Sequence, residues 1–285
     1  MRFYTPLRYP GGKGKLAYYV EALLEENGLV GGHYIEPYVG GAGVALQLLL
    51  TEKVSSIHIN DADPAIYAFW KACTEHPEDL CKLIKDTPVT IEEWHHQREV
   101  LLNQDSVHDN LQLGFATFFL NRTNRSGILN AGVIGGLEQV GKWKLTERFN
   151  KDNLIKRIER IAHRAPHITV SNLDAVDLLD GLSKQPLKNA LLYLDPPYYI
   201  KGQELYRNFY NHLDHVQISE KMKNLSDMLW IVSYDNNAEI AKIYNGFRQK
   251  IFDLQYTAQQ KKIGSEIMVF SDLVKIPSIT LGKSA

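Results

Sequence analysis

The sequence predicts an α/β fold, a mostly parallel sheet covered by helices, on three observations. Short apolar runs rich in branched residues alternate with helical patterns. A glycine turn and two carboxylates fall at the ends of those runs, where sheets of this kind hold ligands. The alternation also stops for about a hundred residues between the second and third strands and then resumes, which marks an insertion. At 285 residues the chain has room for one large domain, or for one domain carrying such an insertion.

In chain order, Leu7-Arg8-Tyr9-Pro10-Gly11-Gly12-Lys13-Gly14-Lys15 precedes the first helical pattern. It is superficially a phosphate loop, but Tyr9 stands in the place of that motif's first glycine and Leu16 in that of its Ser or Thr, so a nucleotide triphosphatase is excluded. An exposed loop with two lysines is the plain alternative. Next, a strand at Tyr34–Glu36 runs into Pro37-Tyr38-Val39-Gly40-Gly41-Ala42-Gly43 and a helix beginning near Val44. Small residues let the backbone approach a ligand at the carboxyl edge of the sheet. A second strand, Ser56–Asp61, ends twenty residues after Gly41 on a carboxylate suited to ribose hydroxyls. A dinucleotide fingerprint would want a third glycine where Leu46 stands, so the pattern favours an adenosine-type ligand without a pyrophosphate and disfavours a nicotinamide oxidoreductase. A plain strand-to-helix turn reads equally well from the glycines alone.

The insertion is helical at Pro77–Lys85, Ile91–Asn103, Asn110–Leu120 and Asp152–Ala165, with a Gly- and Asn-rich loop from Asn121 to Lys144. Net charge is -1, yet residues 121–164 hold ten basic and four acidic side chains, +6 against -7 for the remainder. Such asymmetry marks a phosphate-contacting surface, or a solvated helix face over Lys151–Arg164. Cys73 and Cys81 stand eight apart in helix-like sequence, about two turns, which disfavours a disulfide and suggests two core residues. His95-His96 lack the one-turn spacing of helix-borne metal ligands, and no metal site is expected.

Strands are expected at Ile168–Ser171, Ala190–Leu194, Met228–Ser233, Gly246–Leu254 and Ser265–Ser271, the last two as an antiparallel hairpin. Ala190–Leu194 leads directly into Asp195-Pro196-Pro197-Tyr198. Each proline fixes its own torsion and holds the residue before it extended. The carbonyls of Asp195 and Pro196, with the Asp195 carboxylate, are then available to an external NH2, and Tyr198 offers a ring face for stacking. Read alone, the motif is equally a strand-ending turn. No apolar run approaches the roughly 20 residues of a membrane span, and the first six residues lack a signal peptide's apolar core, so a cytoplasmic protein is expected.

Tyr9-Pro-Gly-Gly-Lys13, Glu36-Pro-Tyr-Val-Gly-Gly-Ala-Gly43, Asp61 and Asp195-Pro-Pro-Tyr198 occur in one order, and from Leu7 to about Ser271 the chain resembles the Dam-like alpha group of DNA adenine-N6 methyltransferases. The resemblance implies a Rossmann-like S-adenosylmethionine-dependent methyltransferase sheet formed by residues 1–65 and 166–285, with a mainly helical target-recognition insertion over 66–165. It implies S-adenosylmethionine as cofactor and S-adenosylhomocysteine as product. Tyr9, Pro10, Gly11, Gly12, Lys13, Glu36, Pro37, Tyr38, Gly41, Gly43, Asp61 and Asp195 would contact the cofactor. Asp195, Pro196, Pro197 and Tyr198 would hold a flipped adenine, and Ser233-Tyr234-Asp235 looks like the family's later strand motif beside the base pocket. Double-stranded DNA is the implied partner, with Asn121, Arg122, Asn124, Arg125, Lys142 and Lys144 as contacts; a cognate restriction endonuclease is a further implied partner, and no membrane is. The recognition loop departs from the family pattern at Asn124-Arg125-Ser126-Gly127, so the target sequence stays open. The same amino-group chemistry serves a cytosine-N4 methyltransferase, and an idle DNA-binding module could retain the cofactor fold. Cytosine-C5 chemistry needs a nucleophilic cysteine, usually after proline, and neither cysteine follows one.

Overall fold

The computed structural model describes residues 4–9, 13–107, 109–199, 210–257 and 261–279. The chain divides into two compact units, Met1–Pro10 with Asp63–Val170, and Gly11–Ala62 with Ser171–Ala285.

The second unit is built on the sheet. Its strands are β1 (His33–Glu36), β2 (Ser56–Asn60), β4 (Ala190–Leu194), β5 (Leu229–Asp235), β6 (Arg248–Thr257) and β7 (Lys261–Phe270); β3 (Ile168–Ser171) enters the unit at its last residue. The order is β3-β2-β1-β4-β5-β7-β6. Pairings of β1 with β2, β1 with β4 and β4 with β5 are parallel, while β7 runs antiparallel to both β5 and β6. The chain winds outward from β1 through β2, then returns to β4 on the other side. The winding therefore reverses between β1 and β4, the place where an open α/β sheet opens a crevice at its carboxyl edge. This is a Rossmann-like sheet.

All five residues of β4, Ala-Leu-Leu-Tyr-Leu, are buried, as a central parallel strand covered on both faces requires. Ile35, Leu192, Leu194, Trp230, Val232, Ile267 and Val269 join one core cluster, and each fully buried aliphatic side chain contributes about 1.5–3 kcal/mol. Helices α1 (Ala17–Glu26), α2 (Gly43–Leu50), α8 (Ala175–Lys184), α9 (His212–Lys223) and α10 (Ala238–Ile243) belong to this unit. The expected terminal hairpin is present but longer than its apolar pattern, running from Arg248↔Phe270 to Thr257↔Lys261. An antiparallel ladder is a backbone device, so it extends into the polar stretch that side-chain periodicity reads as a turn.

The first unit is helical: α3 (Pro64–Glu75), α4 (Pro77–Asp86), α5 (Ile91–Leu102), α6 (Asn110–Thr123) and α7 (Lys151–Ala162). Asp63 caps α3 by accepting from Ala65 N, with Pro64 at the first helical position. Gly114 lets α6 lie against α3, since a Cβ there would meet the Ala68 carbonyl at 2.6 Å. On α7, Leu154, Ile158 and Ile161 are buried at helical spacing. The first ten residues group with these helices, and hydrogen bonds say why. Arg157 Nη1 donates to the Thr5 carbonyl at 2.8 Å, and the Asn121 amide brackets the Arg8 backbone.

The two cysteines need a correction. His76 and Pro77 break the helical pattern, so Cys73 lies on α3 and Cys81 on α4, and Cys81 is only half-buried; both thiols are free. Among the described residues, no helix is long and apolar enough to cross a membrane.

Candidate active site and nucleic-acid interface

The turn after β1 is tied to the end of β2. Val39 N donates to the Asn60 carbonyl at 2.9 Å, Asn60 Nδ2 to the Pro37 carbonyl at 3.0 Å, and Gly40 N to Asp61 Oδ2 at 2.9 Å. Gly40 and Ala42 take left-handed torsions (φ 44° and 50°), which bends the chain sharply into α2. Gly41 is buried within the bend, and a Cβ on Gly43 would come within 3.2 Å of the Gly14 Cα. Tyr38 OH lies 3.0 Å from Tyr210 OH. Glu36 ends β1 in the interior, where burial and the Asp195 charge push its carboxyl well above the usual range. Its Oε2 is buried and meets no hydrogen-bond donor among the described residues. Pro10, Gly11 and Gly12 lie outside the described residues, and Tyr9 belongs to the helical unit.

At the end of β4, Asp195 receives two donors on one oxygen. Lys13 Nζ is 2.9 Å from Asp195 Oδ1, and Ser233 Oγ donates to the same atom at 2.9 Å. With its proton on Asp195, Ser233 accepts from Tyr193 OH, 2.8 Å away. Asp195 Oδ2 and the Pro196 carbonyl meet no donor among the described residues. Tyr199 N donates to Asp235 Oδ1 at 3.0 Å, which pins the proline turn to the end of β5. Lys13 is 4 % exposed and stands 3.3 Å from Glu266 Oε2, 3.5 Å from Tyr198 OH and 5.0 Å from the Tyr198 ring centre. Burial works against its charge, yet Asp195 and Glu266 outweigh it and hold the ammonium well above its usual range. Glu266 escaped the sequence reading. Its signal was a single carboxylate opening the apolar run Ile267-Met268-Val269-Phe270.

In the helical unit the predicted interface residues separate into two kinds. Asn121 (1 % exposed) accepts Arg8 N at 2.7 Å and donates to the Arg8 and Gly127 carbonyls, both at 2.8 Å. Asn124 (0 %) accepts Trp94 Nε1 at 2.7 Å and donates to the Ile128 and Leu129 carbonyls at 3.1 and 2.8 Å. Both amides are committed to holding the loop. Arg125, Lys142 and Lys144 are exposed, with Lys142 Nζ 5.2 Å from the Trp143 ring centre and Lys144 Nζ bonded to the Gln139 carbonyl.

Arg122 is half-buried and joins a group the sequence did not assemble. Its Nε donates to the Arg148 carbonyl at 2.8 Å, and Arg8 Nη1 donates to the Asn124 carbonyl at 3.1 Å. Burial, then the charges of Arg8, Arg157 and Arg148, bring Arg122 down to about 9. Among the described residues, none of Arg8, Arg122, Arg148 and Arg157 has a carboxylate partner.

Comparison with solved structures finds likeness to an S-adenosylmethionine-dependent methyltransferase from Agrobacterium tumefaciens (7% identity, TM-score 0.41, covering 91% of this chain and 62% of that one). The chain thus spans about three fifths of that protein's length. It is also similar to the rRNA methyltransferase aviRa from Streptomyces viridochromogenes (11% identity, TM-score 0.39, covering 92% and 86%). Among curated proteins, none matches the sequence. The model of the family described as D12 class N6 adenine-specific DNA methyltransferase matches residues 9–260.

Proposed function

The chain belongs to the D12 class N6 adenine-specific DNA methyltransferases, and from that premise we propose that Asp195, Pro196, Pro197 and Tyr198 form the site where an adenine flipped out of double-stranded DNA receives its methyl group. The observation that carries this reading is the division of labour on Asp195. Oδ1 is held by Lys13 and Ser233, and Oδ2, at the carboxyl edge of the sheet, meets no donor among the described residues.

An adenine amino lone pair is delocalised into the ring, so the nitrogen must become more tetrahedral before it attacks in line. Asp195 Oδ2 and the Pro196 carbonyl would accept its two hydrogens, favouring that shape and offsetting the positive charge that develops on nitrogen. The Tyr198 ring would stack on the extruded base, and the prolines hold acceptor and ring in fixed relation. The methyl donor in this reading is S-adenosylmethionine, which supplies an electrophilic sulfonium methyl and leaves as S-adenosylhomocysteine. The residues present fit it: the buried Glu36 Oε2 meets no hydrogen-bond donor among the described residues, and Asp61 stands at the end of β2 beside the glycine turn. Glu36, Pro37, Tyr38, Gly41, Gly43 and Asp61, with Lys13 and Asp195, would hold it.

The family match selects adenine over the cytosine-N4 alternative. Phosphate contact falls to Arg122 with Arg8, Arg148 and Arg157, and to the exposed Arg125, Lys142 and Lys144, while Asn121 and Asn124 position the loop that carries them. The same reading includes a cytoplasmic location and, where the methyl mark protects host DNA, a restriction endonuclease of the same recognition sequence.

Expression in a host lacking adenine methylation, followed by base analysis of its genomic DNA, tests the proposal. N6-methyladenine in the wild type and none with Asp195→Ala is the expected result. Equal methylation in both would overturn the assignment of Asp195.

A further inference from the structure

Glu266 is 1 % exposed in β7, in register with Asp235 on β5 and Phe252 on β6. A buried carboxylate costs several kcal/mol of desolvation that an apolar residue of similar volume would avoid. Packing alone therefore does not account for it. Its one ionic partner among the described residues is Lys13, the same ammonium that holds Asp195, and the sharing is unequal: 3.3 Å to Glu266 Oε2 against 2.9 Å to Asp195 Oδ1.

We propose that Glu266 is a positioning residue for methyl transfer: when ionised it draws the Lys13 ammonium off Asp195, leaving Asp195 Oδ2 a stronger acceptor for its adenine amino hydrogen than when Glu266 is protonated. The inference rests on the reading of Asp195 as the amino acceptor. With Glu266 ionised, two carboxylates share one cation, and Lys13, Asp195 and Glu266 together carry a net negative charge facing a nitrogen that becomes positive. With Glu266 protonated, that group is neutral and Lys13 belongs to Asp195 alone.

The groups facing Glu266 are Lys13 from the segment before α1, Tyr193 and Asp195 from β4 and its end, and Asp235 from β5; Phe252 on β6 does not titrate. Burial lifts the Glu266 carboxyl to about 7, with Lys13 opposing and Asp195 and Asp235 adding to the rise. The change of state therefore falls where an assay can cross it. No bond to Glu266 forms or breaks in the reaction; it acts through Lys13.

The test is the single-turnover rate of methyl transfer from labelled S-adenosylmethionine to genomic DNA of a methylation-deficient host. Wild type, Glu266→Gln and Glu266→Asp are compared across the pH range around 7. The wild-type rate should rise as pH passes through about 7. Glu266→Gln, a neutral isostere, should stay near the acid-side rate, on the order of 10-fold slower at alkaline pH, less than the roughly 10²–10³-fold of losing a directly contacting group. Taking the ratio of wild type to variant cancels pH steps that belong to DNA or donor. Donor affinity should be unchanged. Glu266→Asp keeps the charge and should keep the pH step at an intermediate rate, which keeps the proposal testable even if Glu266→Gln fails to fold. A Glu266→Gln profile superimposable on wild type, or a Glu266→Asp profile without the step, would overturn the proposal. A wild-type rate in Asp195→Ala would instead overturn the reading beneath it.

Discussion

Two groups of charges, one in each unit, are handled in opposite ways: Lys13 and Glu266 are buried, whereas Arg8, Arg122 and Arg157 are half-buried and Arg148 is exposed. In the sheet unit, Lys13 is closed between Asp195 and Glu266, so the charge is compensated inside the chain. In the helical unit, Arg8, Arg122, Arg148 and Arg157 press on one another with no carboxylate partner among the described residues, and Arg122 is brought down to about 9, by burial and then by its arginine neighbours. The comparison separates two uses of charge. Under the proposed function, the group around Lys13 is held in place for chemistry, whereas the arginine group would be met by a DNA phosphate, suited in charge and in its bidentate match to guanidinium.

The sharpest way to break the comparison is to remove the shared cation. Lys13→Met leaves the buried Glu266 and the half-buried Asp195 without their shared cation, and unfolding free energy should fall by about 3–5 kcal/mol in denaturant titration. An unchanged midpoint would mean that Lys13 does not balance them. Next in size is Asn121→Ala, which strands the Arg8 N–H and the Arg8 and Gly127 carbonyls. The Arg8 groups are only part-buried and can turn to water, while the Gly127 carbonyl is buried, so a loss of roughly 1–3 kcal/mol should appear as stability, with donor affinity unmoved. A smaller effect of the opposite kind is expected for Arg122→Ala with Arg148→Ala. Stability should hold or rise as like charges separate, while the slope of log DNA affinity against log salt falls by about 0.9 for each phosphate no longer neutralised. An unaltered salt slope would show that this group does not meet phosphate.

Protonation sharpens the same contrast. Glu266 has a folded value of about 7, above its ordinary 4.5, so between these values the native state binds more protons than the unfolded chain. Its contribution to stability is therefore present at acid pH and is lost as pH rises through about 7, a trend Glu266→Gln should remove from a pH series of unfolding midpoints. The smallest effect belongs to Arg125→Ala, whose exposed side chain should change stability by less than about 0.5 kcal/mol.

The sheet was legible because its strands are short apolar runs whose ends carry the turn residues, and β1, β4 and their following motifs stand where periodicity puts them. The proline turn after β4 was legible for the same reason, since two prolines announce a fixed backbone in any context. Glu266 was not, because its partner Lys13 is some 250 residues away in sequence and only the antiparallel return of β7 brings them together. The arginine group failed for a related cause: Arg8 precedes the first helix, and nothing in the local pattern shows that Asn121 clamps its backbone to α6. Asn121 and Asn124 look like groove-reading amides in sequence, yet burial turns them into loop supports.

The central claim is that Asp195 Oδ2 accepts one amino hydrogen and the Pro196 carbonyl the other, while Oδ1 is held by Lys13 and Ser233. The most direct measurement is single-turnover methyl transfer by Asp195→Asn, which keeps the side-chain shape but loses the charge, at saturating donor and on unmethylated genomic DNA. The rate should fall by about 10²–10³-fold with donor affinity close to wild type. A variant that transfers methyl groups at the wild-type rate would contradict the account.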